Sequence, residues 1–264
     1  MGTALVTGST AGIGLEIAWE LATARHNLVL VARSADRLEG VARQIRAAAA
    51  VHVEVLVADL GTDAGREAVV DRLRSSDRPV GLLVNNAGFG LGQRFLGGSP
   101  AREEEAVELM VRTVLVLSQA AADAMVRRGR GAILNVSSVA SLTAMGTYAA
   151  HKAWVRVFTE GLAAELDGTG VTATVLCPGL VHTEFHERAG LRRSAWPEAG
   201  WLDAGRVARA ALTGVRRGRV IVTPSVRYSL VSAALRLAPR WSVRRVTGPR
   251  TSARALDRLS ESAA

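Results

Sequence analysis

Short apolar runs alternate with longer stretches of mixed polarity along most of this chain. Runs rich in Val, Leu, Ile and Ala at 3–7, 27–32, 52–57, 81–84, 131–136, 171–177 and 219–222 have the length and composition of strands. Between them, 12–25, 34–49, 63–75, 101–128, 146–167 and 203–216 read as helices. Repeated strand–helix alternation predicts an α/β domain with a doubly wound, mainly parallel sheet. No repeat, linker or composition break divides residues 1–223, which are therefore taken as one domain. Two stretches leave the pattern. Residues 184–202 are a polar, Trp-containing insertion. Residues 224–264 are an Arg-rich tail with a helix expected at 226–238.

Composition sharpens this picture. A chain of 264 residues buries a substantial core, and few aromatics (4%) with abundant Ala, Val, Leu and Gly suit a sheet covered on both faces. The single Cys177 excludes an internal disulfide and fits a reducing compartment. There is no basic stretch at the start and no uncharged apolar run near membrane-span length, so a cytoplasmic location is expected. The net charge of +9 comes entirely from residues 215–264, which hold 11 Arg against Asp257 and Glu261. The body is neutral, so the charge says little about an active site. Val226, Leu230, Ala233, Ala234 and Leu237 share a face of the tail helix, with Arg227, Arg236 and Arg240 around them and Trp241 nearby. A peripheral contact with an anionic membrane is one reading; docking on its own domain or on a partner subunit is the other. No recognition motif accompanies the arginines, so nucleic acid is not an expected partner.

Candidate chemistry begins at the first strand end, Thr7-Gly8-Ser9-Thr10-Ala11-Gly12-Ile13-Gly14. Glycines between a strand and a helix let backbone approach a phosphate, and the helix N-terminus favours an anion. The second strand ends Ala32-Arg33-Ser34 with no acid to hold a ribose 2′-hydroxyl. Arg33, with Ser34 or Arg37 adding to it, suits a 2′-phosphate, which favours NADP(H); a solvated Arg at a helix start is the alternative. Asp59-Leu60 either meets an adenine or caps a helix, and Asn85-Asn86-Ala87-Gly88 either floors a ribose pocket or pins strands. The only lysine, Lys152, lies four residues after Tyr148, on the same helical face. A cation beside a phenol lowers the phenol's pKa and makes it a usable proton donor.

With Thr7–Gly14, Asn85–Gly88, Asn135-Val136-Ser137-Ser138, Tyr148-x-x-x-Lys152 and Pro178-Gly179 in order, the chain resembles the short-chain dehydrogenase/reductase family, NADP-preferring type, over about residues 3–223. The resemblance implies a single Rossmann-like domain with a seven-stranded parallel sheet, and hydride transfer between NAD(P)H and a small-molecule carbonyl or alcohol. It also implies a homo-dimer or homo-tetramer, with residues 184–202 as the lid over the substrate. By resemblance Tyr148 is the acid/base. Lys152 holds the nicotinamide ribose and depresses the tyrosine pKa, and Ser138, rather than Ser137, orients the substrate oxygen. Gly8, Thr10, Gly12, Ile13, Gly14, Arg33, Ser34, Asp59, Leu60, Asn86, Ala87, Gly88, Pro178, Gly179, Val181 and Thr183 would hold the cofactor. No metal is expected.

The chain also departs from the family. Where members usually carry an Asn that holds a water linking the lysine to solvent, this chain reads Leu109-Met110-Val111, and residues 89–134 contain no Asn. A thioether is a weak acceptor, so the usual proton relay is in question. An NADP(H)-binding sensor or scaffold with little turnover is therefore the alternative function. The ten residues from Ser138 to Tyr148 are fewer than the thirteen common in the family, so a tight loop is expected. His151 is read as structural, and His182 with His186 as unrelated to a metal. Phe89, Leu91, Phe95, Met145, Trp196 and Trp201 are candidates for an apolar substrate pocket.

Overall fold

The computed structural model describes residues 2–185 and 198–248. Seven strands form one parallel sheet in the order β3-β2-β1-β4-β5-β6-β7. They are β1 (Thr3–Thr7), β2 (Asn27–Ala32), β3 (Val53–Val57), β4 (Val80–Asn85), β5 (Gly131–Val136), β6 (Val171–Leu176) and β7 (Ile221–Val222). The helices are α1 (Gly12–Thr23), α2 (Ala35–Ala49), α3 (Asp63–Arg74), α4 (Pro100–Arg127), α5 (Thr147–Glu165), α6 (Ala204–Arg216), α7 (Val226–Leu237) and α8 (Arg240–Thr247). Every strand and helix expected from the sequence is present, with ends shifted by a few residues. β7 keeps only the last two residues of its run.

Alternation along each strand divides the core into two layers. Ala4 and Val6 of β1 point to one side, with Leu28, Leu30, Leu134 and Leu176, under α1, α2 and α6. Leu5 points to the other, with Val29, Leu83, Ile133 and Val171, under α3, α4 and α5. Each such buried aliphatic contributes about 1.5–3 kcal/mol relative to exposure. Chain order reverses between β1 and β4, which pair in parallel through Leu5↔Leu83. A crevice opens at the carboxyl ends of strands where order reverses, and ligands bind in such crevices.

α4 is long and apolar enough, by length and composition, to cross a membrane, but half of its most apolar window is buried inside the protein. It serves as a core helix against β4, β5 and α3. Residues Glu108–Arg112 make one π turn within it. Arg66, 3% exposed, ties this turn to α3: it reaches Glu108 at 2.8 Å, Asp63 at 2.6 Å and the Leu60 carbonyl at 2.9 Å. The π turn holds Met110 buried behind the crevice, against Leu91, Ala106, Phe89 and Tyr148.

The described part of the tail, residues 224–248, packs on the domain. α7 starts four residues after β7 and packs on the 3-10 turn Val139–Leu142. α8 follows it and turns its Val243 inward.

Candidate active site

The crevice at the strand ends is a continuous cleft of about 1740 Å³. It takes in nearly every candidate residue named from the sequence. Gly8, Thr10, Gly12 and Ile13 line it, as do Arg33, Ser34, Asp59, Leu60, Asn86, Ala87 and Gly88 at its middle and outer parts. Ser138, Tyr148, Lys152, Pro178, Gly179, Val181 and Thr183 line it as well, with Thr183 against Gly12. Gly14 does not reach the cleft: it is buried in the first turn of α1, against Asn86 and the Gly8 carbonyl.

The loop after β1 is held from beneath. Thr7 Oγ1 accepts from the backbone N–H groups of Asn86 (2.9 Å) and Ala87 (3.1 Å), and Asn86 Nδ2 donates to the carbonyls of Thr7 (3.0 Å) and Gly8 (3.2 Å). Gly8 and Gly12 have φ of 63° and 56°, a region that a Cβ would strain. α1 begins with no capping side chain and no acidic residue in its first turn. Its free N–H groups therefore face the cleft as an anion cradle, which fits the pyrophosphate of a dinucleotide. The two Asn of Asn85-Asn86 do different work. Asn85 Nδ2 donates to Asn135 Oδ1 (2.9 Å), whose own amide donates to Thr159 Oγ1 (3.0 Å), pinning β4, β5 and α5 together. At the second strand end Arg33 is exposed along the cleft, while Ser34 caps α2 by accepting from Arg37 N–H at 3.4 Å. Asp59 Oδ1 accepts from Gly61 N–H at 3.0 Å and shapes the turn.

At the far end the first turns of α5 carry Tyr148 and Lys152 on one face. Lys152 Nζ lies 5.8 Å from the Tyr148 ring centre and donates to the Val136 carbonyl at 2.9 Å. Burial pushes the Lys152 ammonium down to about 8, opposed by the nearby Cys177 thiol. It is still largely protonated at neutral pH. Tyr148 corrects the expectation drawn from the sequence. Its phenol is held well above its ordinary value, because loss of hydration outweighs the hydrogen bond from Ser138 that favours the phenolate. Without a ligand beside it, Tyr148 is a firmly neutral donor.

The two serines after β5 separate cleanly. Ser137 is 2% exposed and donates to the Lys152 carbonyl at 2.6 Å, so it positions α5. Ser138 faces the cleft, bonded to Tyr148 and near the Pro178 carbonyl at 3.4 Å. The short interval before Tyr148 is taken up by the turn Val139–Leu142, which leaves Ser138 in reach. Met110 is 1% exposed and clusters with Leu91, Ala106, Phe89 and Tyr148. Its thioether lies 3.5 Å from where a Gly88 Cβ would stand, a point 3.7 Å from Lys152 Nζ. The position expected to hold a relay amide thus holds sulfur beside the lysine. Exchanging Met110→Asn is expected to raise turnover severalfold and to reduce its solvent deuterium isotope effect, by restoring an acceptor for water; identical rates and pH profiles would mean that proton return is not limiting.

Phe89, Leu91, Phe95 and Met145 line the cleft, together with Leu96 and Leu180. Trp201 does not: it is buried and stacks on His182, which contacts Glu198 at 3.1 Å. Trp196 and His186, with most of the expected lid, lie outside the described residues. His151 is buried, and burial lowers its pKa while Glu103 opposes. Among the cleft residues that the sequence reading did not name, Tyr228 has the most defined place. Tyr228 of α7 packs its ring against Gly179, where any Cβ would collide with it. Its hydroxyl accepts from Leu180 N–H at 3.1 Å and donates to the Gly200 carbonyl at 2.8 Å. Tyr228 therefore closes the Pro178–Gly179 end of the cleft and joins both sides of the lid's base.

Known proteins share this fold. The family model described as short chain dehydrogenase matches residues 2–193. Galactitol 2-dehydrogenase (L-tagatose-forming) of Cereibacter sphaeroides is 34% identical over 205 residues, covering 76% of this chain and 78% of that protein. The structure of a short-chain dehydrogenase from Sphingobium yanoikuyae in complex with NADPH is 33% identical, with a TM-score of 0.82, covering 89% of this chain and 94% of that one. The bulky-bulky ketone specific alcohol dehydrogenase of Comamonas testosteroni is 30% identical, with a TM-score of 0.78, covering 89% and 92%. Fold, cleft and relatives agree: this chain belongs to the short-chain dehydrogenase/reductase family and is a nicotinamide-dependent oxidoreductase acting on alcohols or carbonyls.

Proposed function

We propose that the chain is an NADP(H)-dependent carbonyl reductase for bulky, apolar ketones or aldehydes, with Tyr148 as the proton donor. The observation that carries this reading is one cleft with Arg33 at one end and Tyr148, Lys152 and Ser138 at the other. NADPH, when bound, supplies the hydride. Arg33 would hold the 2′-phosphate, the first turn of α1 the pyrophosphate, and Lys152 with Asn86 and Thr183 the nicotinamide end. Ser138 holds the substrate oxygen toward Tyr148, and Tyr148 delivers its proton to that oxygen as charge develops there. The Lys152 ammonium stabilises the phenolate left behind.

Preference for NADP(H) rests on Arg33 and on the lack of an acid at the end of β2, and the NADPH complex of the Sphingobium relative supports it. The Arg33→Ala variant is expected to lose about tenfold or more in NADPH affinity, the scale of one charge-assisted bidentate contact, with NADH affinity little changed. Fluorescence titration of both nucleotides decides it; equal loss of both would remove the 2′-phosphate role. A bulky apolar substrate is supported by Phe89, Leu91, Phe95, Leu96 and Met145 along the cleft and by the Comamonas relative's ketone specificity. The reading is completed by a cytoplasmic homo-dimer or homo-tetramer, for which the outward apolar Leu115 and Val126, on one side of α4, offer a surface.

A further inference from the structure

The two C-terminal helices carry a surface that the reaction does not use. On α7, Tyr228, Ser232 and Leu235 turn toward the domain, spaced as one helical face. The opposite face holds Val226, Leu230, Ala233 and Leu237. Val226 is 79% exposed, Leu230 68% and Leu237 87%. The most apolar side of the helix is thus the one pointing straight away from the protein. Arg227 and Arg236 stand at its two edges, about a quarter turn to either side by helical spacing. Trp241, 64% exposed, and Val246 add to the apolar surface on α8, alongside Arg240, Arg244 and Arg245. From residue 224 to 248 there are five arginines and no acidic residue.

We propose that the outward face of α7 and α8 docks on an anionic lipid bilayer. An apolar ridge flanked on both edges by arginines, with an exposed Trp beside it, is the arrangement of a helix lying in a membrane interface. Aliphatic side chains enter the acyl boundary, and guanidinium groups reach headgroup phosphates from the rim. Charge argues against a second copy as the occupant: among the described residues 224–248, two such faces brought together would set arginines against arginines.

The docked face is mechanically tied to the cleft. Arg240 Nη1 donates to the Leu142 carbonyl at 3.1 Å, and Thr247 Oγ1 accepts from Ala144 N–H at 3.0 Å. Met145 follows at the cleft edge. On the same two helices, Tyr228 forms the wall behind Gly179. Docking would therefore hold the tight loop and the substrate end of the cleft close to the bilayer. The docking itself does not depend on which substrate is reduced.

Co-sedimentation of the full chain with vesicles tests this. Wild-type protein should pellet with phosphatidylglycerol-containing vesicles, stay in solution with pure phosphatidylcholine, and be released as salt rises from about 0.1 M to about 1 M, where screening is strong. The double substitution Leu230→Asp with Leu237→Asp should lower the partition coefficient by about tenfold or more through lost apolar transfer. Its NADPH affinity should be unchanged, which shows that it is folded. Three results would overturn the proposal: wild type failing to bind anionic vesicles, the variant pelleting like wild type, or lipid-free wild type forming a larger oligomer that the variant breaks. The last would give the face to a second copy of the chain.

Discussion

The Tyr148→Phe variant is expected to lose about 10²–10⁴-fold in kcat, the usual share of a positioned general acid, with NADPH affinity nearly unchanged. The ring stays in its place in the apolar cluster beside Met110 and Phe89, so packing is conserved and only the hydroxyl is lost. No replacement acid stands by. Ser138 is a far weaker acid, and Lys152 is turned to the Val136 carbonyl at 2.9 Å. Burial holds the Tyr148 phenol neutral, so the proton is present on the donor throughout the physiological range. Single-turnover kinetics separate this from a binding defect: the chemical step slows while nucleotide titration does not move. A loss of only a few-fold would give the proton to water or to another group.

The Lys152→Met variant is the second large effect. The expected loss in kcat is about 10²-fold or more, accompanied by weaker nucleotide binding, if the ammonium has the two proposed roles of stabilising the developing phenolate and holding the ribose. Stability should respond differently from activity. The folded-state value of about 8 lies below the ordinary 10.5. Between these values the unfolded chain keeps the proton and the folded chain has lost it. Wild-type stability therefore gains as pH rises through that window, whereas the Met variant lacks this term. Denaturant melts of both proteins across that range should diverge with rising pH. Parallel curves would mean that the ammonium is not desolvated in the folded state. The same depressed value predicts that the wild-type reductive rate falls as pH climbs past about 8.

Much of this was readable from residue order alone. The β–α alternation gave the sheet and both its covering layers, since continuously apolar strands must be covered on both faces by the helices between them. The spacing from Tyr148 to Lys152 placed two side chains on one helical face, and they meet the same cleft in three dimensions. Three features were hidden. The Tyr148 pKa depends on how much water its pocket admits, which no local spacing encodes; Lys152 argued for a lowered value, and burial reverses the sign. Gly14 belongs to the glycine run but packs under Asn86, because α1 turns it away from the cleft. Tyr228 lies in a tail that reads as an appendage, and its partner Gly179 is 49 residues earlier, so only folding brings them together. A faint signal existed. The chain has only two tyrosines, and Tyr228 opens the inward face of an otherwise outwardly apolar helix.

Met110 bears on whether the site turns over or only binds. An apolar neighbour removes one acceptor for water beside Lys152, yet donor, ammonium and substrate-orienting hydroxyl remain together in the cleft. With the proposed roles, loss of the relay would limit proton return rather than the step at the carbonyl.

The central claim is hydride transfer from NADPH to a carbonyl, with proton delivery from Tyr148. The most direct test incubates the protein with NADPH deuterated at the transferring C4 position and a panel of bulky apolar ketones. Mass spectrometry then follows the alcohol products. The account predicts one deuterium at the carbinol carbon for each NADPH oxidised in wild type, with the labelled alcohol forming at least about 10²-fold more slowly in Tyr148→Phe. Tight NADPH binding with no labelled alcohol from any ketone or aldehyde would contradict it and favour a nucleotide-binding sensor.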